Sequence, residues 1–211
     1  MAFFRRKPKT RSELVAEADR ARVRGKLDAA VAGYRRALES DPADASVHVK
    51  LAPVLARLGD PEGAARSFRA AAQKHLDAGF TDRAVAVNAT AAGVLPLDAG
   101  FRLELARLEI LRGRRRDAAH ALADGGRALL RARREQAGVS LLRKALEIEP
   151  SHLEAVLALA PVMARGGDRA GALALLRPLE STLGGRARRR VRWAVFRVAP
   201  SPRTLWHWIT G

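Results

Sequence analysis

The sequence contains no cysteine, which excludes a disulfide framework and thiolate metal sites. Its five histidines stand apart from one another, and none forms the paired spacing of zinc enzymes. Aromatic residues make up only 5% of the chain, so little favours β-strands. No apolar run approaches the roughly 18 residues that cross a membrane. We expect a mainly helical protein without a metal, a cofactor or a transmembrane segment.

Catalytic motifs are also missing from the sequence. No GxSxG, Walker A or Rossmann fingerprint occurs in a suitable strand–turn–helix context. The acidic residues are dispersed along predicted helix faces at spacings that suit ion pairs. We therefore predict a protein that binds another macromolecule and is not an enzyme.

The first eleven residues, MAFFRRKPKTR, do not form a secretory signal, because charges follow the two phenylalanines at once. Arginine outnumbers lysine by 33 to 6, which is typical of a GC-rich genome. These features predict a bacterial, cytoplasmic protein.

Positive charge is concentrated at the two ends of the chain. The formal net charge is +17, and residues 1–11 and 181–211 contain twelve basic residues and no acidic one. All 22 acidic residues lie between these segments. Basic tails of this kind attract polyanions without sequence preference.

Internal repetition is the most informative feature of the sequence. The segments from Val49 and from Leu157 share the string LAPV(L/M)AR, followed by a glycine and a second helical stretch. Glycine at such a turn supplies the positive φ that ends a helix. Turn glycines are predicted at four places: Gly25, Gly59, Gly113 and Gly167.

With Arg11 as position 1, the chain resembles the tetratricopeptide repeat (TPR) family over roughly residues 11–180. Ala30, Tyr34, Ala37 and Pro42 fall on that family's second-helix alanine, aromatic, alanine and closing proline. The first-helix tryptophan and tyrosine of the consensus are absent, and its small glycine is replaced by alanine at positions 18, 52, 106 and 160. The resemblance implies an all-α, right-handed α-solenoid of antiparallel helix hairpins that binds proteins.

The repeat spacing is 54 residues, because comparable units begin near 45, 99 and 153. A third helix must therefore follow each hairpin. Ten helices are predicted near 12–24, 27–40, 44–58, 61–78, 82–94, 98–112, 115–132, 135–148, 152–165 and 168–182. The same period places Trp193 with Val85 and Val139, and Phe196 with Asn88 and Leu142, which predicts one further, capping helix. Pro53 and Pro161 lie inside predicted helices, where proline produces a kink or shapes a pocket.

The predicted domains are a basic tail at 1–11, a TPR-like repeat domain at 12–182, and a basic, tryptophan-containing segment at 183–211 that caps it. In the family the first helix of each hairpin lines a groove that holds a peptide. The resemblance places Lys50, Arg57 and Arg165 there, and Arg127 and Arg131 are expected to join them from the helix near 115–132. These basic side chains either bind an acidic peptide or are simply solvated. The family's clamp for terminal carboxylates is not reproduced, because Val15 and Asp19 occupy its lysine and asparagine positions.

The C-terminal segment contains all three tryptophans of the chain. It either covers the last repeat, anchors the protein at an anionic membrane surface, or binds nucleic acid, the weakest of the three alternatives. Phe3 and Phe4 of the basic N-terminus are candidates to join a membrane anchor. The residues of this candidate surface are Arg188, Arg189, Arg190, Arg192, Trp193, Trp206 and Trp208. The leading hypothesis is a cytoplasmic adaptor for an acidic peptide; the alternative is a peripheral binder at the inner membrane.

Overall fold

The computed structural model describes residues 9–209, apart from the side chains of Arg203, Leu205 and His207. Every regular element in this range is an α-helix, so the predicted all-α fold is confirmed. The chain divides into two compact units, Met1–Leu95 and Pro96–Gly211. The helices are α1 Arg11–Val23, α2 Leu27–Ser40, α3 Ala45–Arg57, α4 Pro61–Asp77, α5 Thr81–Val94, α6 Ala99–Leu111, α7 Arg115–Arg131, α8 Glu135–Ile148, α9 Leu153–Arg165, α10 Arg169–Thr182, α11 Gly185–Val198 and α12 Pro202–Ile209.

Polar side chains define where several of these helices begin. Thr10 forms a capping box with Glu13 at the start of α1. Aspartate side chains accept hydrogen bonds from the first free backbone N–H groups of four other helices, α3, α4, α6 and α10. Each cap satisfies donors that have no partner within the helix, and so fixes the helix start.

Left-handed residues end the helices at the predicted turns. Gly25, Gly59, Gly113 and Gly167 all have positive φ, which confirms the four turn glycines. Two further turns follow α4 and α7, at Gly79 (φ 76) and Arg133 (φ 61), which are 54 residues apart. This left-handed conformation is less favourable in free energy for Arg133, which has a Cβ atom, than for glycine.

The 54-residue repeat is visible in the helix lengths. Helices α3, α4 and α5 contain 13, 17 and 14 residues, and α6, α7 and α8 contain the same numbers. Helix α9 again has 13 residues, whereas α10 has 14. Each repeat is a hairpin followed by an extra helix, as the spacing predicts.

In the unit Met1–Leu95, α1 packs on α2, α2 on α3, α3 on α4, and α4 on α5. Its core contains the predicted small residues Ala18 and Ala52 and the aromatic side chains of Tyr34 and Phe68. A Cβ atom on Gly33 would lie 2.9 Å from the Cβ of Ala18, so α1 and α2 cross closely at this point.

In the unit Pro96–Gly211, each helix packs on the next along the chain, and α9 also contacts both α7 and α11. Helices α7, α9 and α11 are therefore neighbours in one layer, and α6 contacts α8 in the other. Two hydrophobic clusters fill the space between the layers, one around Leu122 and Leu142 and one around Leu176 and Val191.

The C-terminal segment differs from the expectation in two ways. It forms two helices, α11 and α12, where one was predicted. The buried side chains of α11 are Val191, Ala194 and Val198, whereas Trp193 is exposed. The predicted 54-residue register is therefore wrong by one position here. Helix α10 is three residues shorter than α4 and α7, and two residues, Leu183 and Gly184, connect it to α11 where three follow α4 and α7.

Candidate functional site

Glu154, in the first turn of α9, is the point at which three helices of one layer meet. Arg190 of α11 donates hydrogen bonds to both of its carboxylate oxygens, from Nη1 at 2.6 Å and from Nη2 at 3.0 Å. Arg127 of α7 places its Nη1 3.4 Å from Oε2 of the same carboxylate. One carboxylate therefore joins α7, α9 and α11.

The position of Glu154 follows from how α9 begins. His152 is the N-cap, and its Nδ1 accepts a hydrogen bond from the backbone N–H of Ala155 at 3.3 Å. An acidic side chain in the first turn is favoured by the helix dipole. The hydrogen bond from Arg190 is the main cause that lowers the pKa of Glu154; burial opposes it, and the charges of Arg190 and Arg127 add to it.

The ion-pair network continues along α7. Asp124 lies 3.6 Å from Nη1 of Arg127 and 3.5 Å from Nε2 of His120. The ring of His120 lies 5.9 Å from that of His152. Arg127 is thus placed between two carboxylates, one on α7 itself and one on α9, the neighbouring helix of the layer.

Two more arginines extend the positive charge toward the other end of the layer. Arg131 follows Arg127 by one helical turn and is exposed, with no ion pair to any residue that the structure describes. Arg165, in the last turn of α9, lies 3.5 Å from Glu135 in an exposed pair. Leu157 and Pro161, half-buried, lie between Glu154 and Arg165 on α9.

We name this surface the basic face. It comprises seven residues of α7, α9 and α11: Arg127, Arg131, Glu154, Leu157, Pro161, Arg165 and Arg190. Three of its four arginines are within ion-pair distance of a carboxylate, from Asp124, Glu135 or Glu154, and its centre is apolar. The arrangement is suited to holding an extended chain with carboxylates, because guanidinium groups form charge-assisted hydrogen bonds with them.

The other two predicted groove residues lie on α3, in the unit Met1–Leu95. Lys50 donates a hydrogen bond to Oδ2 of Asp19 at 2.7 Å, and Tyr34 donates one to Oδ1 at 2.6 Å. Burial works to raise the pKa of Asp19, but these two hydrogen bonds outweigh it and lower the pKa. Lys50 therefore links α3 to α1, while Arg57 is exposed at the end of α3.

The residues predicted for the C-terminal surface fall into three groups. Arg190 belongs to the basic face. Arg188 donates from Nε to the carbonyl of Leu183 at 2.6 Å, and Arg192 donates from Nε to Glu180 at 3.1 Å, so both support the fold. The exposed group on α11 and α12 comprises Arg189, Trp193 and Trp206, with Trp208 beside Trp193.

Sequence reasoning missed Glu154 and Asp19, the carboxylates at the centres of the two networks. Asp19 occupies the asparagine position of the family's clamp, but neither that position nor the place of Glu154 in a first turn indicates these ion pairs, because acidic residues are common in first turns and along helix faces. Arg127 and Arg190 are 63 positions apart in the sequence. Their shared contact with Glu154 can be recognised only once the order of the helices in the folded layer is known.

Within the described residues, no group of histidine, aspartate and glutamate side chains could hold a metal ion. No helix among them has the length and apolar character needed to cross a membrane. Residues 1–8, which include most of the predicted basic tail with Phe3 and Phe4, lie outside the described range.

Residues 18–59 match the family model for the TPR repeat. No curated protein matches the chain at a significant level. Among solved structures, the apo form of RapI is similar with 15% identity and a TM-score of 0.53, over 92% of this chain and 60% of RapI. MamA aligns with 14% identity and a TM-score of 0.38, over 81% of this chain and 90% of its own.

PilF of Pseudomonas aeruginosa aligns with 15% identity and a TM-score of 0.38, over 95% of this chain and 87% of its own. At such identities the likeness concerns the fold alone. The matched repeat contains the Gly25 and Gly59 turns together with buried Ala30, Tyr34 and Ala37. The chain therefore contains a TPR repeat at residues 18–59, and hairpins of the same kind recur in both units.

Proposed function

We propose that the protein is a non-catalytic scaffold that holds an acidic peptide segment of a partner protein on the basic face. TPR folds support protein interaction in general, and the acidic character of the partner is the specific part of this proposal. The observation that carries it is the shared carboxylate of Glu154, which brings Arg127 and Arg190 from different helices onto one surface.

The existing ion pairs indicate how a ligand is recognised there. Glu154 already shows that a carboxylate can reach both arginines at once. Arg131 is exposed and has no ion pair in the described structure, and Arg165 is in an exposed ion pair. Both are therefore available to further carboxylates at little cost. The apolar surface of Leu157 and Pro161 offers contact to the intervening side chains of a bound chain.

The proposal also assigns roles along the chain. Residues 12–182 supply the repeat domain, and residues 183–211 cap it while α11 contributes Arg190 to the binding face. Lys50 and Arg57 stay predicted groove residues of the first unit, with Lys50 engaged by Asp19.

The test is binding of a fluorescent dodecapeptide of alternating aspartate and serine, compared with its asparagine counterpart, by fluorescence anisotropy. We expect only the acidic peptide to bind, and binding to weaken as salt is raised. Arg131→Gln should weaken binding about fivefold, since loss of one exposed ion pair costs about 1 kcal/mol.

Arg115→Gln is the matched control, because Arg115 is exposed at the start of the same helix and lies about 120° around it from Arg127, away from the basic face. Equal binding of both peptides, or equal losses in the two variants, would show that the basic face does not select acidic segments.

A further inference from the structure

A second exposed surface, on α11 and α12, is separate in chemistry from the basic face. We name it the arginine–tryptophan surface: Arg186, Arg189, Trp193 and Arg197 of α11, with Trp206, Trp208 and Ile209 of α12. Trp206 is 67% exposed, Ile209 61% and Trp193 42%. Exposed large apolar side chains grouped in this way mark an interaction site.

The α11 members occupy one side of that helix. They follow one another at intervals of three, four and four residues, which places them along a single stripe. The buried side chains Val191, Ala194 and Val198 occupy the opposite side. The packing of α11 on α9 and α10 therefore leaves the stripe directed away from the core.

The charge of this stripe is not neutralised within the described structure. Arg190 and Arg192, on the flanks of α11, pair with Glu154 and Glu180. Arg186, Arg189 and Arg197 form no ion pair with any described residue. Residues 181–211 contain no acidic residue at all, so no local carboxylate competes for these guanidinium groups.

Aromatic contacts hold α12 against α11. The ring of Trp193 lies 4.7 Å from that of Trp208 and 5.5 Å from that of Phe196, measured between centroids. The ring of Trp193 is thus packed among other rings of the protein. Stacking on an unpaired base requires an open ring face, so this arrangement favours a lipid interface over nucleic acid.

We propose that the arginine–tryptophan surface docks on a membrane that contains anionic lipids. The three unpaired arginines bind headgroup phosphates, and Trp206 and Ile209 enter the boundary between headgroups and acyl chains. Helix α12 has eight residues, so it lies along the interface. Each arginine near such a surface contributes about 1 kcal/mol, which is about a fivefold change in partitioning.

The experiment is co-sedimentation of the full chain with vesicles of phosphatidylcholine containing 30% phosphatidylglycerol, and with pure phosphatidylcholine vesicles. Tryptophan emission is recorded in parallel. The three tryptophans of the chain are all in this surface, so their emission reports on it alone. We expect binding and a blue shift with the anionic vesicles only, both reduced by salt.

Two variants locate the contact. Trp206→Ala should reduce partitioning about tenfold, through the loss of a large interfacial side chain, and Arg189→Gln about fivefold. Leu111→Ala and Arg116→Gln are the controls. Leu111 is 68% exposed, close to the 67% of Trp206, and both control residues lie outside the arginine–tryptophan surface. Circular dichroism verifies that every variant is folded.

Three results would overturn the proposal. The first is equal binding to both vesicle types, or losses in the controls as large as in the two variants. The second is vesicle binding unaffected by Trp206→Ala while self-association, followed by sedimentation velocity, disappears; the surface would then be a contact between two copies. The third is a blue shift produced by a single-stranded oligonucleotide and not by anionic vesicles.

Discussion

The pairs α4–α5 and α7–α8 occupy the same place in successive 54-residue repeats and have identical lengths, yet they pack differently. Where α4 and α5 have Ala72 and Ala84, α7 and α8 have Gly126 and Gly138. A Cβ atom on either glycine would lie 2.9 Å from the other's carbonyl oxygen, so these backbones are almost in contact. The period therefore sets where a helix lies, while individual small residues set how closely it approaches its neighbour.

The largest effect on this difference in packing is expected from Gly126→Ala. The added methyl group would lie 2.6 Å from Cγ of Leu142 and 2.9 Å from a backbone oxygen, which cannot move without its helix. Overpacking costs about 1–3 kcal/mol, and the better helix propensity of alanine recovers at most about 1 kcal/mol. We expect the free energy of unfolding to fall by about 1–2 kcal/mol in urea titrations followed by circular dichroism.

Gly93→Ala in α5 is the control for that titration. Outside its chain neighbours and the backbone of its own helix, no atom lies within 4 Å of its would-be Cβ. Only the propensity gain applies, and the free energy of unfolding should rise by about 0.5–1 kcal/mol. A stabilising Gly126→Ala would mean that α7 and α8 separate easily, and that their close approach is not required.

A smaller effect is expected at the turns of the same two pairs. Arg133 and Gly79 have equivalent left-handed conformations. Arg133→Gly removes the strain of a Cβ atom and should raise the free energy of unfolding by about 0.5–1 kcal/mol, whereas Gly79→Arg should lower it by about 1 kcal/mol. Thermal unfolding of both variants checks the prediction. The two substitutions, made at equivalent repeat positions, should change stability in opposite directions.

The smallest effect concerns the acid dependence of the layer that α7, α9 and α11 form. The pKa of Glu154 is lower in the folded chain than in the unfolded one. Its contribution to stability is therefore complete above the unfolded pKa, and is lost as pH falls from about 5 toward the folded pKa. Between pH 7 and pH 4 the wild type should lose more stability than Glu154→Gln, as measured by urea unfolding. Equal losses would show that the Arg190 pair contributes nothing.

Much of the fold was predictable because it depends on residues that are close together in the sequence. The positive-φ glycines at 25, 59, 113 and 167 and the buried alanines at 18, 52, 106 and 160 follow from what a hairpin requires at each position. The ten predicted helices agree with the observed bounds to within one residue. Equal spacing in the sequence was sufficient to find the third helix of each repeat.

The errors and omissions share one physical cause. The register of α11 depends on where α10 ends and on the length of the α10–α11 connection, and the buried residues Val191, Ala194 and Val198 lie one position before those that the 54-residue period gives. The basic face depends on Glu154, which no repeat position marks. Layer order, and the carboxylate that two distant arginines share, arise from packing between helices and are not encoded in any short stretch of sequence.

Each three-helix block begins at an equivalent junction: Asp44, Asp98 and His152 all cap the helix that opens it. A genetic duplication or deletion of 54 codons between two such junctions would preserve every cap and every turn within the block. Chains of this kind can therefore change length during evolution in whole blocks, while the end of the last block and the helix after it are free to diverge in register and composition, as α11 and α12 have done.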